Sequence, residues 1–577
     1  MNISYLKALK VLNLIEKKKV VNITCLLIII IIAIAIIETT VISSIYPLIE
    51  YLYDQESLIK YQAIFTQLTN FEIEYKDFPV YFFFTVATLF LVSAILQISS
   101  LYLSSKLKEE IAFSLKNKSL SQYFLKKMSF YDKNEVGDLT QRLLIHPTYC
   151  GEIVFFLLSA IKELFIILTI YIFLLFLSVK YTIILTFIFF IVSLITYKFG
   201  KKFVIVKANQ RNTGQEKLFA VTNIILSAMK IIRIYRKKNY FINLYLKHSS
   251  VFKNRAVYLQ TITQLPAIFI RFVSLSTLII LIYYITSKTN LEPAFYGVYF
   301  AAVYKINSSF GSFNNAILAT NNVIPSFNIM KNEILGEIIE ESTNQKRVTK
   351  IYDFEKQINF KKIIFNHEDV KIPTLRIKNL IIKKGNIIGL IGDSGSGKST
   401  LLDILAGLKV PTNMQANIDG IKDVNDNEVN FCNITYSNQN QYIFPGSIKQ
   451  NITIFDKNEN ENKLNEVINI CMLKELFKSK TLSLKSKIYD KGNNLSGGQI
   501  QRIGLARTLY MESKIIFLDE ALSNVETTTE KQIISNIFKF VKKYNKTLIM
   551  VSHNLDFLKK VDKIIKIEDG INSNKKI

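Results

Sequence analysis

Two hydrophobic patterns divide the chain. Up to about residue 330, Ile, Leu, Phe and Val gather in long unbroken runs. Beyond it, short apolar runs alternate with segments rich in Lys, Asn and Glu. Six long stretches stand out, roughly 20–48, 78–104, 153–178, 181–200, 263–287 and 292–325. Each is close to or above the ~20 residues with which an α-helix crosses a bilayer. "CLLIIIIIAIAII", starting at Cys25, is the least ambiguous. The later apolar runs, "KIIFLDEA" and "TLIMVSHNL", have the length and continuity of strands buried on both faces of a parallel sheet. The expected fold class is a multidomain membrane protein. A six-helix transmembrane domain (1–330) and a linker (331–350) precede an α/β domain (351–577).

Composition refines this picture. The chain of 577 residues is 49% hydrophobic, and Lys17, Lys18 and Lys19 precede the first run. A signal peptide is the rival reading of that run, but it is too long and no small-residue cleavage site follows. The lysines then hold the N-terminus in the cytoplasm, and six crossings return the chain there. The net charge of +26 raises nucleic acid as a partner. The lysines are scattered, however, and many lie on segments this topology leaves in the cytoplasm, so positive-inside bias and anionic lipid account for them. No nucleic-acid partner is expected. Trp is absent, leaving Tyr46, Tyr51 and Tyr53 as interfacial aromatics after the first span. Cys25, Cys150, Cys432 and Cys471 have no metal or redox spacing.

The C-terminal half carries phosphate chemistry. "NIIGLIGDSGSGKSTLLDILAGL" reads strand, glycine-rich loop, helix. Gly392, Gly395 and Gly397 let the backbone N–H groups curl toward phosphates, and the new helix adds its positive end. Ser394 and Thr400 lie within the same motif. Lys398 reaches the β- and γ-phosphates, and Ser399 ligates Mg²⁺. The α/β domain is therefore a P-loop NTPase nucleotide-binding domain with ATP and Mg²⁺ as cofactors. "LDE" supplies Asp519 for Mg²⁺ and Glu520 as general base. His553, at the end of the next strand, is suited to the γ-phosphate; a lone histidine is more often structural, but one that follows a phosphate loop and "LDE" in this order is read as functional.

With "LSGGQIQR", these motifs resemble the ATP-binding cassette family, and the six spans before them resemble its type IV exporters, here a half-transporter. Soluble relatives that share the signature, the chromosome-maintenance ATPases, have no membrane spans. The resemblance implies that two cassettes meet head to tail. Ser496, Gly497, Gly498 and Gln499 would then contact ATP held by a second chain, a homodimer partner or a related half-transporter; C2 symmetry is the commonest solution. It also implies that Gln439 touches Mg²⁺ and senses the membrane domain, that "SFYDKNEVGDLTQRL" holds a first coupling helix, and that "RNTGQEKLFAVTNIILSAMKIIRIY" holds a second. Two positions depart from the family pattern. His367 stands where an adenine-stacking Tyr is expected, and Glu526 stands where an Asp is expected.

Cargo is less determined, because one fold moves many substrates. No protease-like segment precedes the first span, which weighs against leader-bearing peptides. The first external loop, roughly 50–77, is long. Within it Leu58, Tyr61, Phe65 and Leu68 fall on one helical face. That small helix, with "IETTVISSIYPLIEYL", resembles bacterial flippases of lipid-linked oligosaccharides. Arg271 and Lys305, expected in the cytoplasmic half, are candidate contacts for a pyrophosphate head, against the alternative of ion pairs within the bundle. Glu38, expected in the outer leaflet, is a third candidate or a structural partner for polar groups nearby. The leading expectation is an ATP-driven flippase or exporter in the bacterial inner membrane, with its cassette in the cytoplasm and an amphipathic substrate drawn from membrane lipid. Alternatives are peptide, drug or lipid A export, and a non-transporting, ATP-gated regulator.

Overall fold

The computed structural model describes residues 17–575, apart from 70–73, 75–76, 289–291, 344–350, 367–372, 421, 425–429, 432, 479–481, 490–493 and 553. The chain divides into a helical unit ending at Gln345 and an α/β unit that runs from Lys346 to Ile577.

In the helical unit, α1 (Lys17–Ser43) and α2 (Ile45–Tyr53) together carry the first expected span. The break between them has a local cause. Pro47 cannot donate to the carbonyl four residues earlier, and the Oγ atoms of Ser43 and Ser44 turn back onto Thr40 O (2.8 Å) and Val41 O (2.7 Å). The short α3 (Leu58–Thr69) falls where the external helix is expected. Leu58 is fully buried, and the Tyr61 hydroxyl donates to Glu50 Oε2 at 2.6 Å. The side chains of Phe65 and Leu68 lie outside the described set.

Then come α4 (Phe78–Tyr123), the short α5 (Met128–Lys133) and α6 (Val136–Leu144), α7 (His146–Leu177) and α8 (Val179–Ser227). After these follow a six-residue α9 (Met229–Ile234), α10 (Lys238–Lys288) and α11 (Pro293–Thr343). The short helices α5, α6 and α9 lie in the two segments expected to hold coupling helices. α11 continues to Thr343, so the stretch from 331 expected as a linker is helical over most of its length. A helix of 51 residues is roughly 76 Å long, far beyond the ~30 Å of a hydrocarbon core.

By length and composition alone, Val20–Tyr53, Phe78–Tyr123, Val136–Leu177 and Lys238–Ile280 are long and apolar enough to cross a membrane. The fourth and sixth expected spans lie on α8 and α11. In α11, Lys305, Asn307, Ser308, Ser309 and Asn314 dilute the apolar pattern. Among the described residues, two larger cores hold the bundle beside a small cluster of Val204, Leu259 and Leu318. One joins Ile34 and Ile42 of α1 to Ile166 and Ile170 of α7, Ile270 of α10 and Val298 and Val303 of α11. The other joins Leu27 to Leu107 and Ile111 of α4, Ile153 of α7 and Phe327 of α11. Outward, Ile29, Ile36, Phe84, Leu91 and Ile98 stay exposed, as a surface solvated by lipid requires.

The α/β unit is built on a ten-stranded sheet. Its strands are β1 (Gln357–Phe365), β2 (Leu375–Lys383), β3 (Ile387–Ile391), β4 (Asn413–Ile418), β5 (Lys422–Val424), β6 (Ile434–Ser437), β7 (Ile515–Asp519), β8 (Thr547–Val551), β9 (Lys563–Glu568) and β10 (Ile571–Lys575). Their spatial order is β5-β4-β1-β2-β10-β9-β3-β8-β7-β6. The run β9-β3-β8-β7-β6 is parallel, and β2-β1-β4-β5 is antiparallel. Alternate residues of the parallel strands enter two separate cores. Ile388, Leu390, Phe517 and Ile549 pack against α12 (Lys398–Leu405). Ile387, Leu518, Leu548 and Met550 pack against α13 (Gly497–Tyr510) and α14 (Thr527–Lys543). Covering both faces is what makes these strands read as continuous apolar runs.

Candidate active site

Four neighbouring parallel strands deliver the expected phosphate chemistry from their C-terminal ends. β3 opens into the loop 392–397, β8 leads to Ser552, β7 ends at Asp519 and Glu520, and β6 leads to Gln439. This is the edge at which open α/β sheets bind ligands.

The loop after β3 depends on its glycines. Gly392, Gly395 and Gly397 have φ of +152°, +83° and +101°, conformations side chains resist. A Cβ on Gly392 would lie 2.1 Å from Ile567 O, and one on Gly397 2.9 Å from Leu375 Cδ1. At Gly395 nothing lies within 4 Å, so the loop is open there. Lys398 is buried, and its Nζ donates to Gly392 O (2.8 Å) and Asp393 O (2.7 Å). Ser396 Oγ is buried in the same loop with no hydrogen-bond partner. Ser399 and Thr400 occupy the first turn of α12, and Ser394 lies on the exposed part of the loop.

Asp519 is 8% exposed. Burial raises its carboxyl above the ordinary range, opposed by hydrogen bonds with Ser399 and Tyr436. The Tyr436 hydroxyl lies 3.3 Å from both Asp519 Oδ2 and Asp403 Oδ1. Glu520 takes φ +48°, a conformation uncommon outside glycine and of the kind that clusters at functional sites. Its Oε2 accepts from Gln439 Nε2 at 3.1 Å. The arrangement fits a Mg²⁺-nucleotide. It has an open glycine loop, an unpartnered buried hydroxyl, a lysine at a helix N-terminus, and a serine hydrogen-bonded to a buried carboxylate.

At the signature, Ser496 caps α13. Ser496 Oγ accepts from Gln499 N (3.3 Å), and Gln499 Oε1 accepts from Ser496 N (2.9 Å). Gly497 and Gly498 lie against Asn524; a Cβ on Gly498 would stand 2.9 Å from Asn524 O. Glu526 is the N-cap of α14 but makes no side-chain cap bond. His367 and His553 lie outside the described residues. Two contributors went unread in the sequence, Tyr436 and Gln501. Tyr436 sits in a strand whose run gives no hint of its hydroxyl. Gln501 is visible in "LSGGQIQR", but only folding shows what its amide reaches.

Lys305 Nζ pairs with Glu38 Oε2 at 2.8 Å. Glu38 Oε1 also accepts from Gln97 Nε2 (2.6 Å) and Ser93 Oγ (3.2 Å). Glu38 and Lys305 therefore share one level of the bundle, which corrects their expected placement in opposite halves. Counting along a helix gives height only from a known membrane edge, and the start of an apolar run is not that edge. Arg271 is exposed, with its Nη2 3.5 Å from the Tyr304 hydroxyl.

The family model described as "ABC transporter transmembrane region" matches residues 21–292, and "ABC transporter" matches residues 375–523. Among curated relatives, the lactococcin-G-processing and transport ATP-binding protein LagD of Lactococcus lactis subsp. lactis is 32% identical over 243 residues, 42% of this chain and 34% of that protein. The ATP-dependent lipid A-core flippase of Vibrio vulnificus is 28% identical over 294 residues, 49% of this chain and 48% of that one. The chain thus spans between about a third and a half of these relatives' length. A solved structure of a bacterial Atm1-family ABC exporter with ATP bound superposes with TM-score 0.77 at 15% identity, covering 96% of this chain and 94% of that one. That likeness shows a type IV exporter fold.

Proposed function

We propose that this chain, which belongs to the ABC transporter family, hydrolyses ATP to move an amphipathic substrate across a bacterial inner membrane, with its cassette in the cytoplasm. The observation that carries the reading is Glu520 at the end of β7, held through Gln439 at 3.1 Å beside the buried Asp519 and the open loop of Lys398. A chain that only bound ATP would need no such base.

Lys398, Ser399 and the loop amides would hold the nucleotide, Ser399, Asp519 and Gln439 would hold its Mg²⁺, and the metal would supply charge neutralisation at the phosphates. Glu520 takes the proton of the attacking water, and Gln439 fixes the direction of its carboxylate. Ser496–Gly498, at the start of α13, would be offered to nucleotide held by a second copy, which makes the working unit a homodimer or a pair with a related half-transporter.

For cargo, we propose a lipid-linked oligosaccharide moved from the cytoplasmic to the outer leaflet. The short external helix α3 and the exposed Arg271 beside Tyr304 support it, while Lys305 is held by Glu38 at 2.8 Å. A second reading, peptide export, is favoured by similarity to LagD. The deciding experiment places the purified chain in liposomes with a labelled polyprenyl-pyrophosphate oligosaccharide and follows leaflet exchange. ATP-dependent exchange that vanishes in Glu520→Gln supports the glycolipid reading. Healthy hydrolysis without exchange sinks it and moves the search to peptides and other lipids.

A further inference from the structure

Gln501 is 1% exposed, and every bond its amide makes leads toward Glu520. Its Nε2 donates to Gln439 O (3.2 Å) and to Ser523 Oγ (3.1 Å), while its Oε1 accepts from Asn524 N (2.8 Å). The first bond anchors the residue whose side chain holds Glu520. The other two anchor the turn that follows Glu520, where Ser523 N returns to Glu520 O at 3.3 Å. One amide thus brackets the general base from both sides in sequence.

Gln501 belongs to α13, whose first residues are Gly497 and Gly498. Two glycines of that helix remove slack between it and the bracketing loops. A Cβ on Gly498 would come within 2.9 Å of Asn524 O, and one on Gly504 within 2.2 Å of the Gln441 side chain, two residues beyond Gln439. With helix and loops this close, a shift of α13 must be passed to them. The amide has both donor hydrogens used and is closed to water, so it cannot exchange these bonds for others at no cost.

From this geometry we infer that Gln501 is a positioning residue that sets Glu520 in its own site according to whether Ser496–Gly498 are engaged by nucleotide on a second copy. It thereby couples two hydrolysis sites. This rests on the reading of the chain as an ATP-hydrolysing dimer. Gln501 itself touches no substrate. It acts through Gln439 and the 523–524 turn.

The test compares the full-length wild type with Gln501→Met, Gln501→Glu and Glu520→Gln, measuring ATP hydrolysis against ATP concentration and pH together with melting temperature. Gln501→Met keeps the volume and loses all three bonds. Its kcat should fall about tenfold or more while KM moves less than about threefold, and its Hill coefficient should fall toward one; a lost positioning contact weakens the transition state rather than ground-state binding. Gln501→Glu keeps an acceptor for Asn524 N but sets a carboxylate against Gln439 O. Burial raises such a carboxyl, so its kcat relative to wild type should recover as pH falls from about 8 to about 6 and a donor returns.

Gln501→Met with wild-type kcat and Hill coefficient overturns the inference. So does a loss in both variants that tracks lowered melting temperature, with no recovery at low pH, since that is a packing role alone. A wild type that turns over no ATP, or a fully active Glu520→Gln, instead condemns the proposed function, and this inference falls with it.

Discussion

Removing the Lys305 charge alone leaves Glu38, 8% exposed, with only Ser93 and Gln97 among the described residues to satisfy its carboxylate. At 2.8 Å and an effective dielectric of about 20, the pair attracts by about 6 kcal/mol before desolvation is charged against it. Truncating one partner of a buried pair costs ~3–5 kcal/mol. A third of the Lys305 side chain is exposed (33%), which places Lys305→Met at the low end, about 3 kcal/mol. Glu38→Gln strands the more exposed partner and keeps the bond from Gln97, so it should cost only about 1–2 kcal/mol. The double variant strands no charge and should lie within about 1 kcal/mol of wild type.

Melting is followed by dye labelling of Cys150, which is buried in this helical unit, with Cys25, Cys432 and Cys471 replaced by Ala. At ~2–4 °C per kcal/mol, Lys305→Met should melt about 6–12 °C low and the double variant within a few degrees of wild type. A double variant as unstable as the sum of its singles would refute the pairing. Wild-type stability with lost substrate exchange would return Glu38 and Lys305 to the substrate path.

Other perturbations read separate parts of the chain. Arg271→Ala should slow leaflet exchange of a pyrophosphate lipid several-fold more than basal hydrolysis; equal loss of both makes Arg271 structural. Gly392→Ala drives a Cβ to 2.1 Å from Ile567 O and should lose ATP binding in a nucleotide-fluorescence titration, with ~2 kcal/mol or more of stability. Unaltered binding would show that the loop conformation is not required. Burial raises the Asp419 carboxyl, but the backbone N–H groups of Glu355, Gln357 and Lys356 outweigh it and hold it below the usual range. Its contribution is therefore present above the unfolded value of about 4 and lost as pH falls through the lower folded value. Asp419→Asn should lower melting at pH 7 and converge with wild type in acid; a constant gap across pH contradicts this.

The α/β unit was more legible than the bundle for a physical reason. The function proposed for it sits in contiguous stretches: the glycines before Lys398, the carboxylates Asp519 and Glu520 at the end of β7, and Ser496–Gly498 at a helix start. Each such stretch fixes its own backbone. Strand runs such as Ile515–Asp519 are buried throughout, so they also betray themselves by composition. What stayed hidden depends on contacts between distant segments. Gln501 meets Gln439 across 62 positions, and Lys305 meets Glu38 between α11 and α1; no periodicity encodes either.

The bundle adds a second difficulty, since an apolar run marks a helix but not its depth. The expectation that Glu38 lies in the outer leaflet comes from its place eighteen residues after Val20, at the start of the apolar run. The 2.8 Å pair places Glu38 and Lys305 at one level, and the Tyr46 hydroxyl, donating to Glu292 Oε2 at 2.8 Å, joins the same two segments nearer their external ends. Such levels are set by packing, as where Leu27 of α1 meets the core of Leu107, Ile153 and Phe327. It follows that intramembrane charges in this chain must be assigned in pairs across helices before any is offered to a substrate.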